Sequence, residues 1–230
     1  MTHKTKVKRE KLRANAIVVS DFDGTITVTD NTQCVLQKFA DKEWMRLDEL
    51  YEKGMLELVE RVKRQYALLR ASSEEIVKYA KQVAVLREGF ARFVGLCNKK
   101  GLPLVVVSVG LDIVVKELLK FFGFEKIRVR VPKTLPTEQG YKVFFPKMYT
   151  THTQNIKEDL VLHNKILGKK VIYLGDGPSD YQAIRRADFR FVVKGSKLEE
   201  LCVKNGVVHA VFSSFDEVSE SLEKYILKLL

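Results

Sequence analysis

The sequence predicts an α/β fold, a parallel sheet flanked by helices with a small all-helical insertion after the first strand, on three observations. Five short runs rich in β-branched and aromatic residues, Ala16–Ser20, Pro103–Ser108, Lys170–Leu174, Phe189–Val193 and Val207–Phe212, are nearly continuous in apolar character, as strands buried on both faces are. Most of them adjoin segments whose apolar residues recur at helical spacing. Between the first run and the second, from residue 31 to residue 87, nothing reads as a strand.

In chain order, residues 1–13 hold six cations, Lys4, Lys6, Lys8, Arg9, Lys11 and Arg13, against the single acid Glu10, and read as a flexible basic arm. The first strand follows. In the insertion, Leu47, Leu50, Tyr51, Leu56, Val59, Val62 and Tyr66, then Ile76, Val77, Ala80 and Val83, mark amphipathic helices. Residues 31–87 are therefore expected to form a helical cap, and 14–30 with 88–230 the core. Trp44, Tyr51 and Tyr66 read as cap core. Ile113, Val114, Glu117, Leu118 and Phe121 make a helix after the second strand, and Ile156 to Leu167 one before the third. Ile127–Val131 and Tyr141–Phe145, separated by Pro132, Pro136 and Gly140, read as a hairpin or a pair of edge strands.

The chain has 230 residues, 46% apolar and 30% charged, enough to form a packed core. Its formal net charge of +11 favours anionic partners without naming one. Cys34, Cys97 and Cys202 never stand in a C-x-x-C spacing, so neither a disulfide framework nor a zinc site is expected and a reducing cytoplasm fits. Leu102 to Val115 is broken by Pro103, Ser108, Gly110 and Asp112, short of the ~18 apolar residues of a membrane span. No secretory signal is read at the start of the chain.

The chemistry concentrates in two acidic loops. Asp21-Phe22-Asp23-Gly24-Thr25 follows the first strand directly, at the end where open α/β sheets bind ligands. In extended chain Asp21 and Asp23 point to one side and Phe22 to the other; adjacent carboxylates require a proton or a cation between them. An EF-hand is excluded, because positions six and twelve from Asp21 are Ile26 and Thr32 rather than Gly and Glu. A turn held by Asp side chains is the bland alternative. Gly175-Asp176-Gly177-Pro178-Ser179-Asp180 follows the third strand. As a dinucleotide fingerprint it fails, since Asp180 stands in place of the last glycine and Asp176 would face a pyrophosphate. Asp21, Asp23, Asp176 and Asp180, all hard oxygen donors, suit Mg²⁺.

With Ser108 ending another strand and a lysine ahead of the second acidic loop, this order of motifs resembles the haloacid dehalogenase (HAD) superfamily, whose core is Rossmann-like. The insertion resembles the cap of the phosphoserine phosphatase branch. Within that branch Asp30-Asn31, Arg64 ahead of Leu68-Leu69, Arg87-Glu88-Gly89-Phe90 and Ser108-Val109-Gly110-Leu111-Asp112 look most like the methionine-salvage 2-hydroxy-3-keto-5-methylthiopentenyl-1-phosphate phosphatases.

The resemblance implies a Mg²⁺-dependent phosphatase acting on a small phosphorylated metabolite. Asp21 would be the nucleophile that forms an aspartyl-phosphate, and Asp23 the general acid and base. Asp21, the main-chain carbonyl of Asp23 and Asp176 would hold Mg²⁺, with Asp180 behind them or as a further ligand. Ser108 with the amide of Val109 or Gly110 would bind the phosphate. Lys157, at a helix start, is preferred over Lys165 as the charge-neutralising lysine. Asp30 and Arg64 would contact the rest of the substrate, although Arg64 stands one residue out of register with the phosphoserine pattern. Two alternatives remain: a phosphoserine phosphatase, and a non-catalytic anion- or RNA-binding protein on the same fold. No aromatic-interleaved surface points to nucleic acid, no membrane partner is expected, and the sequence sets no oligomeric state.

Overall fold

The structure, a computed structural model, describes residues 15–226; the basic arm expected over residues 1–13 lies outside them. The elements run β1 (Ala16–Ser20), α1 (Asn31–Phe39), α2 (Glu43–Glu52), α3 (Leu58–Ala67), α4 (Ser73–Val83), α5 (Phe90–Lys100), β2 (Leu104–Val107), α6 (Asp112–Phe121), β3 (Arg128–Arg130), β4 (Lys133–Thr137), β5 (Gly140–Phe144), α7 (Ile156–Ile166), β6 (Lys170–Gly175), α8 (Tyr181–Arg186), β7 (Phe189–Val193), α9 (Lys197–Lys204), β8 (Ala210–Phe212) and α10 (Phe215–Ser221).

Six strands form one parallel sheet in the order β3-β2-β1-β6-β7-β8. β1 lies between β2 and β6, with Val18 opposite Leu104 on one side and Ile172 on the other. The strand order reverses around β1, so its carboxyl end opens onto the crevice such sheets use for ligands. Alternate residues feed two cores: Val18, Val106, Ile172 and Leu174 face one, and Ile17, Val19, Val107, Val171 and Tyr173 the other.

The first core does not stop at the sheet. Val35, Leu58, Val62, Tyr66 and Ile76 from the inserted helices belong to the same apolar cluster, so insertion and core share buried surface. Local signals set the helix starts: the Asp30 side chain caps α1 by accepting from Gln33 N–H at 2.8 Å, and Ser72 with Glu75 forms a capping box on α4.

Of the two readings of Ile127–Val131 and Tyr141–Phe145, a hairpin with each other or a pair of edge strands, the second holds: β3, the centre of the first run, pairs in parallel with β2 as the sheet edge. The hairpin joins β4 to β5, with Pro136 opposite Tyr141. Proline lacks a ladder donor, which a two-stranded ribbon tolerates because both its strands are edges. The run over Val207–Phe212 is strand only from Ala210 onward.

The hairpin packs on the insertion. Arg70 Nη1 donates to Gln139 O at 2.8 Å, and Tyr141 Oη meets Ala71 O at 3.0 Å and Ser73 Oγ at 3.2 Å. Gly140, at φ 119°, sits so close to α3 that a Cβ would lie 2.2 Å from Ala67 O.

Candidate active site

The carboxyl ends of β1, β2 and β6 meet in a cleft of about 450 Å³ roofed by the inserted helices. Asp21 continues β1 and is fixed by its N–H to Leu174 O at 2.9 Å. Asn155 caps α7, accepting from the N–H groups of Lys157 and Glu158 at 3.0 Å each. Lys157 thus sits in the first turn, fully buried, and its ammonium reaches Asp21 Oδ1 at 2.8 Å, Asp180 Oδ1 at 2.7 Å and Ser179 Oγ at 2.9 Å. Lys165 instead bonds Arg186 O and Asp188, away from the cleft.

Asp180 is pinned on both oxygens. Oδ1 accepts from Lys157 and, at 2.6 Å, from buried Tyr173; Oδ2 accepts the N–H groups of Asp176 and Gly177 at 3.2 and 3.0 Å. Asp176 accepts from Thr25 Oγ1 at 2.7 Å. Carboxylate oxygens of Asp21, Asp176 and Asp180 lie within 4.8 Å of one another. Burial drives the Asp21 carboxyl well above the ordinary carboxylate range, helped by Asp180 and opposed by Lys157. Burial and then Asp180 push Asp176 up to about 7. Burial would depress Lys157, yet Asp180 and Asp21 together hold it above the usual lysine value. One ammonium among three acids leaves the cluster short of positive charge, and all-oxygen donors at this spacing fit a hard divalent cation.

The Asp23 side chain turns away from that cluster. Asn31 N–H and Nδ2 donate to its Oδ1 at 3.1 and 2.8 Å, and Thr32 Oγ1 meets Oδ2 at 2.8 Å. A metal-ligand role for Asp23 therefore rests on its main-chain carbonyl. Burial first, then the charge of Asp30, raises its carboxyl to about 6 against those hydrogen bonds. Because both donors to Oδ1 are N–H groups that cannot accept, a proton on Asp23 belongs on Oδ2.

Ser108 follows β2, and its Oγ accepts the Gly110 N–H at 2.9 Å. That bond occupies the Gly110 amide and leaves Val109 N–H without a partner among the described residues. A Cβ on Gly110 would lie 2.7 Å from Asp23 Oδ2, so only glycine lets this loop approach the acid. The Tyr66 hydroxyl donates to Val109 O at 2.8 Å, tying α3 to the loop.

The structure does not bring Arg64 to the cleft. It lies about 60° round α3 from Arg61, on the side away from Val62 and Tyr66, exposed and paired with Glu60 at 2.7 Å. Arg61 lines the cleft instead, one turn before Gln65. Asp30 does line it, while also capping α1.

Residues without an assigned part in the sequence reading also shape the site. Arg87 donates to the carbonyls of Gly24 and Thr25, holding the first acidic loop. Tyr173 orients Asp180, Asn31 and Thr32 orient Asp23, and Arg61 with Asp48 lines the roof. The inward positions of α3 carry a signal in Val62 and Tyr66, whose spacing puts Arg61 beside them; nothing local marks Tyr173.

Comparisons with known proteins bear on the family and the fold. The profile of the haloacid dehalogenase-like hydrolase family matches residues 18–185. The bifunctional enzyme MtnB/MtnX of Bacillus licheniformis is 30% identical over 213 residues, 90% of this chain, which spans 49% of that longer protein. The 2-hydroxy-3-keto-5-methylthiopentenyl-1-phosphate phosphatase of Bacillus velezensis is 29% identical over 212 residues, covering 90% of this chain and 89% of the relative. A substrate-bound phosphoserine phosphatase structure superposes with a TM-score of 0.69 at 17% identity, covering 92% of this chain and 98% of the other.

Proposed function

This chain belongs to the haloacid dehalogenase-like hydrolase family, and on that premise we propose that it hydrolyses a small phosphate monoester through an aspartyl-phosphate on Asp21. The observation that carries this reading is the buried ammonium of Lys157 held 2.8 Å from Asp21 Oδ1 beside two further acids. Lys157 engages Oδ1 and leaves the other Asp21 oxygen available, while burial keeps the carboxyl poorly solvated, as a carboxylate nucleophile requires.

In the first step Asp21 forms a bond to phosphorus while the bond from phosphorus to the ester oxygen breaks. Asp23 Oδ2 gives its proton to that oxygen as it leaves. Ser108 Oγ and Val109 N–H donate to the phosphoryl oxygens, and Lys157 offsets their charge. In the second step Asp23 takes a proton from the water that attacks phosphorus; inorganic phosphate departs and Asp21 is regenerated. Asp21, Asp176 and the carbonyl of Asp23 would hold Mg²⁺, with Asp180 positioning Asp176 and Lys157 from behind. Bound there, the ion would supply the positive charge that lets Asp21 and the substrate's phosphate meet. Tyr173, Arg87, Asn31 and Thr32 position the acids.

Residues 31–87 act in this reading as the cap that closes over the substrate. The identity of the relatives supports a substrate like the 2-hydroxy-3-keto-5-methylthiopentenyl-1-phosphate of the Bacillus velezensis enzyme. Phosphoserine is the rival substrate, since Arg61 and Asp30 line the cleft although Arg64 does not. A non-catalytic role is disfavoured by the intact set of acids, lysine and serine. The cytoplasm is the proposed compartment, in keeping with free Cys34, Cys97 and Cys202; no helix among the described residues is long and apolar enough to cross a membrane. The test is phosphate release from p-nitrophenyl phosphate and a phosphometabolite panel, with Mg²⁺ and with EDTA. Release that EDTA abolishes is expected; no release from any substrate with Mg²⁺ present would end the reading.

A further inference from the structure

The inserted helices and the loop after β2 are joined at one peptide group. The peptide between Val109 and Gly110 is held at both ends: its carbonyl accepts from Tyr66 Oη at 2.8 Å, and its N–H donates to Ser108 Oγ at 2.9 Å. Tyr66 comes from α3, Ser108 from the end of β2. No other donor reaches that carbonyl among the described residues.

The direction of these bonds decides what they do. A carbonyl only accepts, so the tyrosine hydroxyl donates; Ser108 Oγ receives the amide proton on a lone pair and keeps its own hydrogen to give elsewhere. That hydrogen has no acceptor among the described residues, and Ser108 lines the cleft with Asp21. Donors therefore run head to tail from Tyr66 through the peptide to Ser108 and on into the cleft. Each bond in such a chain polarises the next, and the chain ends where a phosphoryl oxygen would gather charge. The walls leave the peptide few alternatives. A Cβ on Gly110 would meet Asp23 Oδ2 at 2.7 Å and Thr32 Oγ1 at 2.9 Å, and Tyr66 is 1% exposed, so water replaces the tyrosine on that carbonyl only if α3 lifts.

We propose that Tyr66 is a positioning residue for phosphate binding, acting through the Val109–Gly110 peptide on the Ser108 hydroxyl. With α3 seated, the serine hydrogen is turned toward the phosphoryl oxygens; with α3 lifted, the peptide loses its anchor and the serine is free to turn. Phosphate binding and the seating of α3 then strengthen each other by the same factor. The inference rests on the part of the proposed function that places phosphate at Ser108, and it gives the insertion a way to act on the phosphate from behind.

The experiment measures the Kd of inorganic phosphate by calorimetry, with Mg²⁺ present, in the wild type, Tyr66→Phe, Ser108→Ala and the double variant. Inorganic phosphate has no leaving group, so it reads that end of the site alone. Tyr66→Phe keeps the ring and is expected to weaken phosphate about fivefold. Ser108→Ala should weaken it about tenfold or more, and in that background Tyr66→Phe should change Kd less than about twofold, because the chain has lost its end. Amide hydrogen exchange gives a second reading. In the phosphate-bound protein the Gly110 N–H should exchange about tenfold faster in Tyr66→Phe, while the Glu75 N–H, bonded to Ser72, stays unchanged. If Tyr66→Phe leaves Kd alone or weakens phosphate equally in both backgrounds, or if Gly110 exchange does not move, Tyr66 only packs the insertion and the proposal fails. A wild type that binds no phosphate would overturn it as well. A wild type that shows the expected coupling yet turns over no substrate would instead overturn the phosphatase reading and leave the relay standing.

Discussion

The floor and the roof of the cleft are built on opposite terms. On the floor Asp180 is satisfied on both oxygens, Lys157 touches three acceptors and Asp23 is gripped by Asn31 and Thr32. On the roof, among the described residues, the Arg61 side chain hydrogen-bonds only Asp48 and Asp30 pairs with no cation, and both line the cleft. A reaction common to many substrates needs groups fixed beforehand, whereas recognition of one substrate needs groups left free for it to complete.

The contrast is broken most severely at Asp21. Asp21→Asn should lower phosphate release on the order of 10⁴-fold or more, and acid-quenched enzyme should carry no phosphate; a labelled Asp21→Asn protein would put the nucleophile elsewhere. Next comes Asp23. With its carboxyl at about 6, the protonated fraction needed to expel an alkoxide declines as pH rises above that value. Single-turnover phosphoenzyme formation from an alkyl phosphate should then drop about tenfold per pH unit. p-Nitrophenyl phosphate, whose leaving group departs without a proton, should show a flatter profile; identical profiles would remove Asp23 as the acid.

Metal binding sharpens the floor. Asp21 and Asp176 are raised in the folded protein, so the folded state holds protons that the unfolded chain releases. Stability from this source is present at low pH and is lost as pH rises from about 4 toward 7. If Mg²⁺ takes the place of those protons, as the proposed function requires, a hundredfold excess over its Kd should contribute about 2.7 kcal/mol, roughly 5–10 °C in Tm for a chain of this size. Calorimetry should find that gain larger at pH 8 than at pH 5; a gain independent of pH would place the ion away from these acids.

Smaller effects probe the join of roof and floor. Tyr66→Phe removes the hydroxyl bonded to Val109 O and should cost about 1 kcal/mol, seen as roughly 2–4 °C in thermal unfolding. It should also raise KM more than it lowers kcat. Arg64→Ala, losing only an exposed pair with Glu60, should leave Tm and kcat/KM unchanged. A marked loss there would return Arg64 to the cleft.

The floor was legible because topology and loop chemistry coincide: acids immediately after buried apolar strands can only gather at one rim of a parallel sheet. Lys157 was legible only through the family resemblance, which sets a lysine near that helix start; the structure brings its ammonium to Asp21. The roof was harder. Arg61 and Arg64 are both cations on one amphipathic helix, and only the rotation of α3 about its axis, set by Val62 and Tyr66 packing inward, separates them. The hairpin arm Lys133–Thr137 was hidden because Pro136 argues against a strand. Tyr173 reads as one more apolar residue of a buried run until Asp180 meets its hydroxyl.

The seating of Gly140 against Ala67, with Arg70 and Tyr141 on either side, bears on any attempt to rebuild this enzyme from modules. The helical segment is continuous in the chain, yet its outer surface is keyed to a ribbon that enters from far downstream. Transplanting residues 31–87 from a relative without its counterpart of residues 133–144 should yield a mismatched chimera, so the exchangeable unit is the pair.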